Sequence, residues 1–223
     1  MFNRLGDAIN SVNTIFLTGG SIAPHDAHAI ARFIASRQGL PGCYPGLFAP
    51  MSGELDTPYM LFTGEPTSTG AAGRHILGEE CLRILRILDC RDPDVTAAID
   101  QAQKGFAAQL DHVRSVGYST DTYCCGKCTI AYWRTLLTNW LPDPLPRIAR
   151  GIHHLEACRL NGKWRRYPFY YTVLCLTELP IDIARNELEY IRPACERALK
   201  RQGKSSRYVD VRSIILNRAL NAL

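Results

Sequence analysis

Residues 117–140 read GYSTDTYCCGKCTIAYWRTLLTNW, and this stretch is the most informative about the fold of the chain. From Cys128 to Leu137 this stretch carries a single charged side chain, Arg134. A segment that is apolar on nearly all sides is buried on nearly all sides, and its Ala, Leu and Arg residues favour helix over strand. Gly126 permits a tight turn just before it. The stretch therefore predicts a buried helix that begins directly after a cysteine-rich turn.

The composition is typical of one globular domain. The chain has 223 residues, of which 46% are hydrophobic, as expected for a domain with one core. No apolar run reaches about 18 residues, so no membrane span is expected, and the opening sequence MFNRLGDAINSVN lacks the apolar core of a signal peptide. Nine cysteines, several of them inside apolar runs, are typical of free thiols in a reducing compartment. We therefore expect a cytoplasmic protein.

The charge of the chain says little about partners. The net charge of +5 permits an acidic partner. The basic residues are spread along the chain, so there is no specific signal for nucleic-acid binding.

Apolar residues recur at helical spacing along most of the chain, separated by proline- and glycine-rich segments. This order predicts an all-α fold, in which residues 1–223 form a single helical-repeat domain of stacked hairpins. The predicted hairpin units are residues 24–88, 94–140, 144–180 and 182–223. Within a unit an amphipathic helix precedes a more apolar one, so we expect the amphipathic helices outside and the apolar helices inside.

Three local predictions accompany this repeat. Residues 38–74 are expected to be irregular, with a short strand from Leu55 to Phe62. A helix is predicted from Leu145 to Leu160, ended by Asn161 and Gly162. In the helix from His75 to Leu88, Glu79 is expected to pair with Arg83 at the i,i+4 spacing, with Arg86 facing solvent.

The repeat resembles the α/α toroid of terpenoid cyclases and protein prenyltransferase β subunits. Those repeats contain Gln, Gly and Trp at their boundaries, and similar residues occur here at Gly162-Lys163-Trp164 and Arg37-Gln38-Gly39. The resemblance covers residues 24–180. The Asp-x-Asp-Asp acid of the cyclases is absent from the chain. The resemblance thus implies a fold, a partial α/α toroid or horseshoe, and leaves the reactions of those enzymes unassigned.

The spacing Cys125-x2-Cys128 supports three interpretations: a zinc site, a redox pair, or thiols that pack in a turn. The redox interpretation lacks the usual βαβ surroundings. His154 and Cys158 lie one helical turn apart. We therefore predict a structural zinc site formed by Cys125, Cys128, His154 and Cys158, with Cys124 as a substitute ligand.

A basic aromatic segment, KWRRYPFYY, follows at residues 163–171. Such a cluster suits a phosphate attached to an apolar group, or alternatively a solvated loop anchored by its rings. Together with the cysteine turn it predicts a ligand-binding set, which comprises Asp121, Tyr132, Trp133, Trp164, Arg166 and Tyr170.

Two functions from different classes are consistent with these patterns. The first is a protein that binds an apolar or isoprenoid-like small molecule in a central pocket of the toroid. The second is a non-enzymatic helical-repeat interaction module, stabilised by zinc, in which a homodimer closes the ring. Catalytic residues and a reaction are not assigned by the sequence.

Overall fold

The computed structural model describes residues 2–44, 46–201 and 207–223, and within these ranges the protein is all-α, as predicted. The described helices are α1 (Leu5–Leu17), α2 (Pro24–Ala35), α3 (Gly70–Leu88), α4 (Pro93–Ser115), α5 (Gly126–Leu136), α6 (Pro144–Glu156), α7 (Phe169–Glu178), α8 (Ile181–Arg201) and α9 (Val209–Asn221). Two short strands, β1 (Arg159–Leu160) and β2 (Lys163–Trp164), form an antiparallel hairpin. Across the described ranges, no helix has the length and apolar character needed to cross a membrane.

The odd-numbered helices contact one another in a cycle. Helix α1 packs on α3, α3 on α5, α5 on α7, α7 on α9, and α9 returns to α1. The even-numbered helices lie against this cycle: α2 and α4 on α3, α6 on α5, and α8 on α7 and α9. Every residue of α5 except Lys127 is buried, which confirms that residues 128–136 form a buried helix. The toroid shape itself stays a prediction.

A buried ionic network joins the facing sides of α1, α3, α5 and α7. Arg134 donates to Glu80 at 2.5 Å and to both carboxylate oxygens of Glu178 at 2.7 and 2.9 Å. The Tyr171 hydroxyl also donates to Glu80, and the Asn13 amide donates to the other Glu80 oxygen at 3.0 Å. Burial alone would raise the pKa of Glu80, but Arg134 and Arg83 outweigh it and hold that pKa below its ordinary value. Helices α1, α3, α5 and α7 are therefore not joined by apolar contacts alone.

The predicted pair of Glu79 and Arg83 is wrong. Arg83 lies 3.3 Å from Glu80 instead, and both oxygens of Glu79 are buried without a hydrogen-bond partner. Arg86 is half-buried and donates to the carbonyl and hydroxyl of Thr138. The reason is that α3 is buried on more than one face, so Glu79 and Glu80 point toward different neighbours.

The described residues between α2 and α3 are irregular, as expected, but α3 begins at Gly70, so residues 70–74 of the predicted irregular stretch are helical. Residues 46–69 reach into the core. Leu47, Phe48 and Leu61 are almost fully buried. The predicted strand from Leu55 to Phe62 does not form, and only Met60 makes an isolated bridge, to Pro66. Pro58 contributes no N–H group to a strand ladder, which accounts for the short pairing.

The helix predicted to reach Leu160 ends earlier, at Glu156. Asn161 and Gly162 have φ values of 51° and 75° and form the tight turn of the β1–β2 hairpin. Two consecutive residues with positive φ are typical of a type I′ hairpin turn, for which Asn-Gly is the preferred pair. The Asn-Gly signal was therefore a hairpin signal and not a helix cap.

Candidate metal centre

The first half of α3 and the N-terminus of α5 place a set of metal-ligand side chains together. His75 and Glu79 lie one turn apart on α3, so they share a face. Cys128 lies in the first turn of α5, which packs against α3. One nitrogen of His75 and the sulfurs of Cys124 and Cys128 all lie within 4.8 Å of one another. These three atoms could contact a single metal ion.

The cysteine turn brings its thiols close without a disulfide. Cys124 is exposed and has a φ of 42°, a left-handed conformation that a side chain rarely adopts. Cys125 is the residue before α5, and its sulfur lies 3.5 Å from that of Cys128. The Cys128 thiol and the N–H groups of Cys128 and Lys127 lower the pKa of Cys125 to about 5, against the opposing effect of burial. The Cys128 thiol also lowers the pKa of Cys124, so the environment of the turn favours the thiolate form at both residues.

His75 and Glu79 are buried polar groups without hydrogen-bond partners. Both ring nitrogens of His75 and both carboxylate oxygens of Glu79 lack a hydrogen-bond partner. Glu79 is 0% exposed, so solvent does not supply one. Leaving such a group unsatisfied costs about 1–3 kcal/mol. Burial raises the pKa of Glu79 well above its ordinary value, and Cys125 acts in the same direction. A cation held by His75, Cys124 and Cys128 would give the imidazole a partner.

The imidazole of His75 is held between two aromatic rings. Its centroid lies 4.3 Å from that of Tyr44 and 5.2 Å from that of Tyr123. Burial lowers the pKa of His75 to about 4, so the ring is neutral at neutral pH. The neutral imidazole is the form that binds metals.

A cavity of about 490 Å³ opens onto this cluster. His75 and Cys124 line it, together with Tyr44, Tyr118 and Tyr123. Tyr118 is 70% exposed, which is unusual for an aromatic side chain. Ligand pockets are commonly apolar with a few converging polar groups, and this cavity has that character.

The structure brings together one half of the predicted zinc set. Cys125 and Cys128 are neighbours, and Cys124, the predicted substitute, belongs to the metal-ligand group. His154 is exposed and Cys158 is half-buried, and neither belongs to a group of three ligand atoms among the described residues. Helix α6 buries Ile148, Ile152 and Leu155, which leaves His154 on its solvent side.

The predicted ligand-binding residues near the cysteine turn have structural partners. Tyr132 and Trp133 are fully buried, and they donate to the carbonyls of Thr120 at 3.0 Å and Asp121 at 2.8 Å. The Asp121 carboxylate accepts from Arg150. These contacts anchor the turn that carries the cysteines, and none of the three predicted residues lines the aromatic cavity.

The predicted residues of the basic aromatic segment also lie away from that cavity. The Trp164 indole is buried and donates to Glu187 at 2.6 Å. The Tyr170 ring packs under the guanidinium of Arg212 at 4.4 Å. Arg166 is exposed. The interpretation of this segment as a loop anchored by its rings accounts for these contacts.

His75 and Glu79 were not among the site residues predicted from the sequence. The available signal was the spacing of two ligand-type residues four positions apart on one predicted helix. The i,i+4 spacing of Glu79 and Arg83 gave Glu79 a more ordinary explanation.

We compared the chain with known proteins by sequence and by structure. No family model, curated protein or solved structure matches it.

Proposed function

We propose that this protein binds zinc through His75, Cys124 and Cys128, beside the cavity that His75 and Cys124 line. The observation that carries the proposal is a buried imidazole without hydrogen-bond partners, beside two thiols within 4.8 Å. Glu79, one turn further along α3, is also buried without a partner, although burial raises its pKa well above the ordinary value and so favours its neutral form.

The donor set supports zinc over other common metals. Thiolate and imidazole ligands together suit zinc, whereas calcium and magnesium prefer oxygen ligands. Zinc deprotonates a coordinating thiol, so the raised pKa of Cys128 in the metal-free site does not oppose coordination.

The number of ligands supports a site that is open to small molecules. Catalytic zinc sites have three protein ligands and keep a fourth position for water or substrate. Here His75 and Cys124 line the cavity, so we propose that the fourth position faces it. We propose this cavity, in place of a central pocket bounded by Tyr132 and Trp133, as the site for the apolar ligand predicted from the sequence. The ligand class is a small molecule with a planar apolar part and one metal-binding group.

Metal content tests the proposal directly. Protein purified without chelators is expected to contain one zinc per chain by elemental analysis. Cys128→Ser and His75→Phe should each lose most of that zinc, because each removes one of three ligands. Cys195→Ala, at a buried cysteine on α8, should keep it. Wild-type protein without stoichiometric zinc, which also fails to take up added zinc, would refute the proposal.

Cobalt substitution tests whether the fourth position is open. The cobalt protein should show thiolate charge-transfer bands, and added imidazole should shift its d–d bands by occupying the open position. A spectrum that does not respond to imidazole would indicate four protein ligands. That result would contradict the pocket and favour a purely structural zinc, as in the zinc-stabilised interaction module.

A further inference from the structure

We infer that Cys125 and Cys128 form a redox-active dithiol that shares Cys128 with the metal site, so that oxidation by a hydroperoxide expels zinc. The inference rests on the proposed function for its zinc-release step. Its first step, formation of the disulfide, can be measured in the metal-free protein. The inference rests on the position of Cys128, which takes part in two clusters. Its sulfur lies 3.5 Å from the sulfur of Cys125, and it also belongs to the metal-ligand group with His75 and Cys124.

The two sulfurs are placed to form a disulfide with little rearrangement. Cys125 immediately precedes α5 and Cys128 lies in its first turn, so the pair spans a single helical turn. A disulfide holds its sulfurs about 2 Å apart, so the two must approach by about 1.5 Å from their present separation. Side-chain rotation at Cys125, which lies outside the helix, can supply most of that movement.

The exposure of the three thiols differs, and the difference assigns their roles. Cys124 is exposed, Cys125 is half-buried and Cys128 is buried. The cavity reaches the turn at Cys124, so a small oxidant can approach from that side. Cys124 and Cys128 would both be held by zinc, so Cys125 is the thiol of the turn that stays free, and its partial exposure lets it meet the oxidant. Cys128, whose sulfur lies 3.5 Å from that of Cys125, then resolves the intermediate.

The chemistry balances with a hydroperoxide as the oxidant. The Cys125 thiolate attacks one peroxide oxygen, the O–O bond breaks, and hydroxide leaves, which converts Cys125 to a sulfenic acid. The Cys128 thiolate then attacks the sulfur of Cys125, the S–O bond breaks, and a second hydroxide leaves. Two thiols have lost two electrons to form the disulfide, and hydrogen peroxide has gained them to give two waters after protonation.

The disulfide and the metal exclude each other. A sulfur in a disulfide no longer provides the thiolate that zinc requires. With Cys128 oxidised, only His75 and Cys124 remain of the three ligands, and two ligands hold zinc poorly. Reduction by a thiol would restore Cys128 and with it the metal site.

The test uses the full chain loaded with zinc and treated with hydrogen peroxide. A metal-sensitive dye should report one zinc released per chain, and peptide mass mapping should locate one disulfide, between Cys125 and Cys128. Dithiothreitol with added zinc should restore the starting state. Cys125→Ser should retain its zinc and release it at least tenfold more slowly. Cys195→Ala should behave as wild type.

Metal-free protein separates the two proposals. If no zinc binds but peroxide still forms the Cys125–Cys128 disulfide, the dithiol stands and the metal assignment falls. A disulfide mapped to Cys124 instead of Cys125, or none at all, would overturn the dithiol. Formation of the Cys125–Cys128 disulfide without loss of zinc would overturn the competition between them.

Discussion

At the scale of single residues, the buried neutral imidazole of His75 makes stability depend on pH. Its pKa is lowered from 6.5 to about 4 by burial. Above pH 6.5 the ring is neutral in both the folded and the unfolded chain, so it contributes no pH dependence. Below pH 6.5 the unfolded chain takes up the proton first, and stability falls until the pH reaches the folded pKa.

We expect metal-free wild type to lose about 2 kcal/mol more stability than His75→Phe between pH 7.5 and pH 5. Phenylalanine keeps the aromatic contacts with Tyr44 and Tyr123 and cannot titrate. Urea unfolding at both pH values measures the difference. His154→Phe, at an exposed histidine, serves as the control and should keep the wild-type dependence. An equal loss in His75→Phe would show that His75 is not the source.

The single residues of the site also show what the sequence can and cannot reveal. The cysteine turn was recognisable because Cys125-x2-Cys128 is a local spacing. His75 lies about 50 residues earlier, on another helix, and only the packing of α3 against α5 places it beside Cys128. Local patterns carry no information on such a contact, so the sequence does not indicate that His75 lies beside Cys128.

At the scale of elements, the start of α5 depends on a close backbone contact. A Cβ atom on Gly126 would lie 2.4 Å from the carbonyl oxygen of Arg166 and 2.9 Å from the Tyr167 ring. We expect Gly126→Ala to destabilise the protein by about 1–3 kcal/mol, despite the higher helix propensity of alanine. Chemical denaturation measures the change.

Gly70→Ala provides the matched control. Gly70 begins α3 as Gly126 begins α5, and a Cβ there would meet only the end of the Arg74 side chain, at 3.4 Å. We expect this variant to match wild type within about 0.5 kcal/mol. Equal stability of the two variants would mean that the turn at Arg166 moves aside without cost.

The helices were largely predictable, because apolar periodicity and proline or glycine breaks are local signals. The early end of α6 was not, since Asn161-Gly162 suits a helix end and a hairpin turn equally well until the pairing of residues 159–164 is known. The packing of residues 46–69 against the helices was also not predictable from local patterns. Glu65 accepts the N–H groups of Tyr170 and Tyr171 at the start of α7, a contact across more than 100 positions of the chain.

At the scale of the whole molecule, Arg134 of α5 joins α3 and α7 through buried ion pairs with Glu80 and Glu178. Removing one partner of a buried ion pair leaves the others uncompensated, which costs about 3–5 kcal/mol. We expect Arg134→Leu to lose stability in that range, because Glu80 and Glu178 would both lose their principal partner. Thermal and urea unfolding report the loss.

Arg150→Leu is the control for that experiment. Arg150 pairs with Asp121 at 3.0 Å, but its side chain is 59% exposed. Exposed pairs contribute about 0–1 kcal/mol, so this variant should remain close to wild type. Similar losses in the two variants would contradict a special role for the inner network.

The contact between α1 and α9 has a consequence for how the protein is made. Arg218 donates to the carbonyl of Leu17 at 2.5 Å, across 201 positions of the chain. A ribosome that adds about 5–20 residues per second needs about 10–40 s to cover that distance. During this interval the side of α1 that meets α9 has no native neighbour and is open to chaperones. The cycle of contacts among α1, α3, α5, α7 and α9 is therefore completed only after α9 has been synthesised.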